Sequence, residues 1–459
     1  MTGTKAVKHR NIISGIIAGS LMLLWASNVI GQSLEKRIPI VQEIVGKISY
    51  ERIVAMHDVL VSFETRNFFS DMESDTRGRG AAQRWMYNTL QEFSRQSGGR
   101  LQVYYDRYDQ PPTPRIAQKL EELGEETHLL VNVVAVLPGR TDNVRYIVNG
   151  HYDTRGANGQ DGEVTAPGAN DDASGTIVMM ELARVLSQYE FDHTLMFVAD
   201  DAEEHGLLGA YHMAQTAVDE GWEIGGVFAD DMISTVRGGN GKVDDSGIRV
   251  FSPDPVDSDS RQWARYAKYV GEAYSPDLRV DLIFRLDRFG RGGDHRAFIE
   301  NGFAGARFTE LNENFEHQHG DNTDTIEFMS REYMTKVARL QAAILTYAGN
   351  APKKVVMMSP SRDRSDYGTW IRWTHDTEET DIAGYKVFIR KTDTGYWQEV
   401  VDVGMVEKTA ISSGFRRGGG GSPTEAYQTK LYNRSVDDYI FGVAAYDREG
   451  YIGIVSVFN

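Results

Sequence analysis

Four carboxylates fall within five positions at 200–204, DDAEE, directly after the apolar run TLMFVA. Like charges held that close repel, so the stretch is either a solvated acidic turn or part of a site for a cation. The same arrangement recurs along the middle of the chain. His151 and Asp153 follow YIVNG, Asp230 and Asp231 follow GGVFA, and His317 and His319 sit in the loop after GARFTE. Asp171 and Asp172 open the helical segment that follows the first of these runs. Imidazoles among carboxylates favour Zn²⁺, Mn²⁺ or Co²⁺ over Ca²⁺. The chain has no cysteine, so His, Asp and Glu must supply every ligand. One ion takes about four ligands, and the candidates exceed that number. Two ions sharing a carboxylate are therefore expected. Such a pair, about 3.5–4 Å apart, activates a water and polarises a carbonyl or phosphoryl oxygen.

These residues are scattered in sequence, so the fold must gather them. RYIVNG (145–150), HTLMFVA (193–199), IGGVFA (224–229) and GARFTE (305–310) read as short buried strands. Between them SGTIVMMELARVLSQ and GLLGAYHMAQTAV read as helices, with Met179, Leu182, Ala183 and Leu186 on one face. Strands alternating with helices predict an α/β fold with a mostly parallel, doubly wound sheet. Sites in such sheets form at the carboxyl ends of the strands, where every candidate lies. Upstream, IVQEIVGKISYERIVAMHDVLVSF predicts a helical region.

The 459-residue length argues for more than one domain. After a boundary at NAPKKV (350–355), short alternating runs such as IAGYKVFIRKT and DYIFGVAAYD predict an all-β sandwich over 353–459, interrupted by the flexible loop RRGGGGSP (416–423). The N-terminus carries Lys5, Lys8 and Arg10, then an apolar stretch from Ile12 to Ala26 and small residues near Gly31. Residues 1–31 thus read as a signal peptide, and the chain is expected to be exported, with no stable membrane insertion after cleavage. The net charge of −17 argues against nucleic acid as a partner.

Five motifs occur in order: NGHYDT (149–154), APGANDDASG (166–175), AEEHGLLGA (202–210), DDM (230–232) and HQHGDNTDT (317–325). Together they resemble metallopeptidase family 28, the co-catalytic zinc aminopeptidases, over residues 40–350, within a peptidase domain at 32–350. The resemblance implies two zinc ions per chain and peptide substrates. It implies that Asp171 bridges the ions, that His151 and Asp231 complete one site, and that Glu204 and His319 complete the other. Glu203 takes the part of the general base, and Asp153 that of the acceptor that orients His151. His317 stands as the alternative to His319. Asp172 reads as structural, and Asp200 and Asp201 receive no role. His193, His205, His212 and His295 read as surface or packing residues. Asp294, in GRGGDH, is either a support for a ligand or a loop residue. Some relatives have an oxyanion-stabilising tyrosine near this loop; here only Phe289 is close.

The main expectation is an aminopeptidase. A carboxypeptidase of the same fold would need a basic pocket, for which Arg291, Arg296 and Arg307 are candidates. A single-zinc glutaminyl cyclase would lack the HYD histidine, which is intact. A non-catalytic binding protein would have lost Glu203 or a ligand, and none is lost. Trp373, Leu431 and Tyr439 give the C-terminal region a resemblance to a fibronectin type III module, of unknown ligand.

Overall fold

The computed structural model describes residues 34, 37–141, 144–375, 379–411 and 424–458. The leader expected at 1–31 and the glycine-rich loop at 416–423 lie outside the described residues.

One mixed sheet organises the first three quarters of the chain. Its strands are β1 (Gln102–Gln110), β2 (His128–Leu137), β3 (Arg145–His151), β4 (Thr194–Asp200), β5 (Ile224–Asp230), β6 (Gly247–Phe251), β7 (Arg279–Ile283) and β8 (Gly305–Glu310). Their order is β1-β2-β4-β3-β5-β8-β6-β7. The centre, β4-β3-β5-β8, is parallel; β1, β2 and the β6–β8 pairing are antiparallel. The helices are α1 (Pro39–Gly46), α2 (Tyr50–Val61), α3 (Gly78–Gln96), α4 (Ala117–Leu123), α5 (Ala173–Leu186), α6 (Leu208–Asp219), α7 (Asp259–Tyr274), α8 (His295–Glu300) and α9 (Arg331–Asn350).

The two-residue period of the strands decides which helices cover which face. Val148, Phe197 and Phe228 face a core built with α5, α7 and α9. Their neighbours Ile147, Met196, Val198 and Val227 face α6 and α8. Burial on both faces explains why these strands are continuously apolar rather than alternating. Helix α5 starts at Asp172, whose side chain accepts the Gly175 N–H at 2.8 Å. Its first turn presses on β3: a Cβ on Gly150 would lie 2.6 Å from the Gly175 carbonyl carbon, so only glycine admits this approach.

Two differences from the sequence reading have local causes. The helical run at 40–63 divides into α1 and α2, because the Ser49 hydroxyl caps a new helix at the Arg52 N–H. Residues 233–300, opaque in sequence, contain β6, α7 and β7. In α7, Trp263 stacks on Phe228 of the sheet, ring centroids 4.2 Å apart.

The C-terminal region forms two antiparallel sheets. One contains β9 (Val356–Met357), β10 (Ser361–Asp363), β11 (Gly368–Thr374), β14 (Thr409–Ile411) and β15 (Thr424–Leu431). The other contains β12 (Ile382–Lys391), β13 (Glu399–Gly404), β16 (Tyr439–Asp447) and β17 (Ser456–Val457). Ile371, Trp373, Val387 and Val443 fill the core between them. The second sheet docks on the first region: Phe388, Trp397 and Ile452 join its hydrophobic core. Tyr266 donates to the Ile452 carbonyl at 2.8 Å, and the buried Arg390 reaches Asp257 at 2.7 Å. Among the described residues, no helix is long and apolar enough to cross a membrane.

Candidate metal centre

Each candidate donor sits where a central strand ends. His151 is the last residue of β3, Glu203 and Glu204 follow β4, Asp231 follows β5, and His319 lies in the loop after β8. Because β4, β3, β5 and β8 are neighbours, residues distant in sequence become adjacent in space. Two donor groups result: His151, Glu203 and Asp231 in one, and Asp171, Glu204 and His319 in the other, with the ligand atoms of each within 4.8 Å of one another. Asp171 stands between them. Its Oδ1 is 3.1 Å from His151 Nε2, and its Oδ2 is 2.9 Å from His319 Nε2. Glu204 Oε1 is 3.0 Å from the same imidazole nitrogen. The alternative histidine, His317, stacks on Phe328 at 3.5 Å instead.

The charges are concentrated where water is scarce. Burial, reinforced by Glu204, Asp231 and Asp171, pushes the Glu203 carboxyl up to about 8, with His151 opposing. Burial acts against ionisation of Asp171 too, but hydrogen bonds from His151 and His319 hold it well below the usual carboxylate range. Burial lowers His319, yet bonding to Asp171 and Glu204 prevails and pushes it up to about 10. Glu204 Oε1 and Asp171 Oδ2 both face the single nitrogen His319 Nε2, at 3.0 and 2.9 Å. Two carboxylates converging on one imidazole nitrogen fit a transition-metal ion, and so does the His–carboxylate chemistry of both groups.

A surrounding frame fixes these side chains. Asp153 accepts the N–H groups of Glu203 at 2.9 Å and Glu204 at 3.3 Å, and its Oδ1 is 3.4 Å from His151 Nδ1. It thus holds the turn after β4 as well as the imidazole. Asp324 accepts the N–H groups of Asn170 and Asp171 at 2.9 and 2.8 Å. Arg155 lies 2.9 Å from Glu204 Oε2 and 2.6 Å from His319 Nδ1. Arg307, a pocket candidate in the sequence, is instead fully buried, 2.8 Å from Asp231 and 3.0 Å from Asp287. Of these, Asp153 is expected from the sequence and Arg307 is noted only as a pocket candidate; Asp324 and Arg155 are not singled out.

The remaining acids of the first motif now have partners. Asp201 is buried against Arg79 at 2.8 Å and accepts the Val131 N–H at 3.0 Å. Asp200 accepts from the Asn149 amide, and burial pushes it up to about 7. Asp172 accepts the His151 N–H at 3.2 Å besides capping α5. His193, His205 and His295 are buried, bonded to the carbonyls of Ala351, Gly159 and Leu286. His212 stacks on Tyr108. Asp294 is buried near the centre, with Oδ1 unbonded, and Phe289 is 91% exposed.

A parallel-centred sheet with paired His–carboxylate groups at its strand ends suits a metal-dependent hydrolase, and comparisons with known proteins agree. The model of peptidase family M28 matches residues 132–344. A "Probable zinc metalloprotease" of Pyrenophora tritici-repentis is 31% identical over 458 residues, covering 93% of this chain and 89% of the relative. Another, of Pyricularia oryzae, is 34% identical over 415 residues, covering 83% and 81%. Among solved structures, the Legionella pneumophila LapA aminopeptidase has a TM-score of 0.53 at 21% identity, covering 70% of this chain and 78% of that one. The aminopeptidase from Aneurinibacillus sp. strain AM-1 has a TM-score of 0.51 at 16% identity, covering 68% and 96%. The chain therefore belongs to peptidase family M28, and its enzyme class is zinc metallopeptidase.

Proposed function

We propose that the protein is an exported aminopeptidase that uses two zinc ions. The observation that carries this reading is Asp171, with one carboxylate oxygen beside His151 and the other beside His319. His151 and Asp231 would hold one ion, Glu204 and His319 the other, with Asp171 common to both. When bound, the ions polarise the scissile carbonyl and make a water nucleophilic. Glu203 takes a proton from the attacking water and returns it to the leaving amine. Asp153 keeps Glu203 and His151 in register by bonding both.

Trimming from the N-terminus is favoured by the aminopeptidases among the solved structures that share this fold. Export rests on the leader pattern at 1–31. The C-terminal sheets are read as a fibronectin type III-like unit whose role is structural, in keeping with its packing against α7. Elemental analysis of zinc-restored protein tests the centre: about two zinc ions per chain are expected. One tightly held ion, with cyclisation of N-terminal glutamine, would favour a glutaminyl cyclase instead.

A further inference from the structure

A cavity of about 550 Å³ opens beside the donor groups, and its walls differ sharply in charge. Its lining holds Asp171, Glu203, Glu204 and Asp231; Arg288 and Arg291, joined through Glu313, form an arginine wall, and Arg115, Arg155 and Arg296 also line the cavity. Two divalent ions would carry as much positive charge as the four carboxylates carry negative. Arg155 is already engaged with Glu204. The remaining arginines then leave the cavity cationic.

These guanidiniums are held in place and are short of anions. Glu313, its side chain almost fully shielded, is shared by two of them, Arg288 at 2.8 Å and Arg291 at 2.7 Å, and by Arg249 at 2.8 Å. Asp287, the second acid beside Arg288, is also taken by Arg307. Among the described residues, the free end of Arg291, Nη2, meets only the Met232 thioether, at 3.8 Å. The Arg115 guanidinium donates to the Glu204 carbonyl at 3.4 Å, and among the described residues no carboxylate pairs with it. Arg296 is paired with Glu300 outside the cavity. Guanidiniums fixed by a shared buried carboxylate, with donors still open towards a cavity, match a carboxylate on the ligand.

We propose that this arginine wall binds a carboxylate of the substrate, so that the preferred substrates are carboxylate-bearing short peptides. The inference rests on the aminopeptidase reading for what happens next to the wall, but not for the wall's own affinity. The carboxylate has two sources: the C-terminus of a di- or tripeptide, or an acidic side chain on the N-terminal residue.

The test uses the zinc-restored full chain and two matched pairs: Leu-Ala against Leu-Ala-amide, and Glu-Ala-amide against Gln-Ala-amide. At least one carboxylate-bearing peptide is expected to exceed its neutral match about tenfold or more in kcat/KM, mainly through KM, the scale of a charge-assisted hydrogen bond. The first pair reports the C-terminus and the second the side chain. In Arg291→Gln the ratio falls towards one, and Arg291→Lys recovers part of it. Ratios near one in both pairs overturn the proposal, as do ratios unchanged in both Arg291→Gln and Arg288→Gln. Calorimetry with glutarate and its diamide reads the wall without turnover. Glutarate is expected to bind more tightly, and Arg291→Gln to remove the difference; a difference that survives this change places the ligand on the metal and overturns the proposal. Preferential glutarate binding lost in Arg291→Gln, in a protein that cleaves none of the four peptides, would sustain the wall while overturning the aminopeptidase reading.

Discussion

The guanidinium of Arg307 lies 2.8 Å from the carboxylate of Asp231, and both side chains are almost wholly shielded from water. Arg307 therefore neutralises a donor of the metal centre from behind, from within β8. Burial raises the proton affinity of Asp231, and Arg307 is the main group opposing it.

Removing one partner of a buried ion pair leaves an uncompensated charge, at a cost of about 3–5 kcal/mol. Arg307→Met should lower the metal-free protein's stability by that order in urea titration. Zinc should restore part of the loss, because an ion takes over the charge of Asp231. Equal losses with and without zinc would separate Arg307 from the centre.

Glu203→Gln keeps the size and hydrogen-bonding shape of the side chain but cannot accept the proton. Turnover should fall by about 10²–10⁴, the usual scale for a general base. Zinc content should stay the same by elemental analysis. Near-normal turnover would remove Glu203 from the chemistry, and loss of an ion would make it a ligand.

His57 is buried in α2, with Nε2 2.7 Å from the Ala169 carbonyl and Nδ1 3.1 Å from Arg331 Nε, so it sits neutral just ahead of Asn170 and Asp171. Burial is the main cause that lowers it to about 4, against about 6.5 for a free imidazole. The unfolded chain therefore binds this proton first as pH falls. The contribution of His57 to stability is complete above about pH 6.5 and is lost as pH drops to about 4, a change of about 3 kcal/mol. Urea midpoints of His57→Gln should fall less than those of the wild type across that window. Parallel pH profiles would contradict the assignment.

The donors were legible because each follows an apolar strand whose end had to point one way, so sequence order gathered His151, the acids at 200–204, Asp230, Asp231, His317 and His319 on one edge, and the resemblance to the family chose His151, Glu204, Asp231 and His319 among them. Asp171 was legible as the opening of α5. Beyond Asp153, what holds these donors was not. Asp324 meets Asp171 from 153 positions away, and Arg155 meets His319 from 164 positions away. No local period encodes such pairs. Strands β6 and β7 are only five residues long and flanked by polar loops, so their period had no room to show. Asp200 and Asp201 looked equivalent to Glu203 and Glu204 in the run DDAEE. The end of β4 separates them: Asp201 turns to Arg79 and Asp200 to Asn149, while the two glutamates continue into the cavity.

The most direct test of the central claim is mass spectrometry of a peptide incubated with the zinc-restored protein, once with a free N-terminus and once acetylated. Stepwise loss of residues from the N-terminus of the free peptide is expected, with the acetylated peptide intact and neither peptide cleaved after chelation. Shortening of the acetylated peptide from its C-terminus would contradict the central claim.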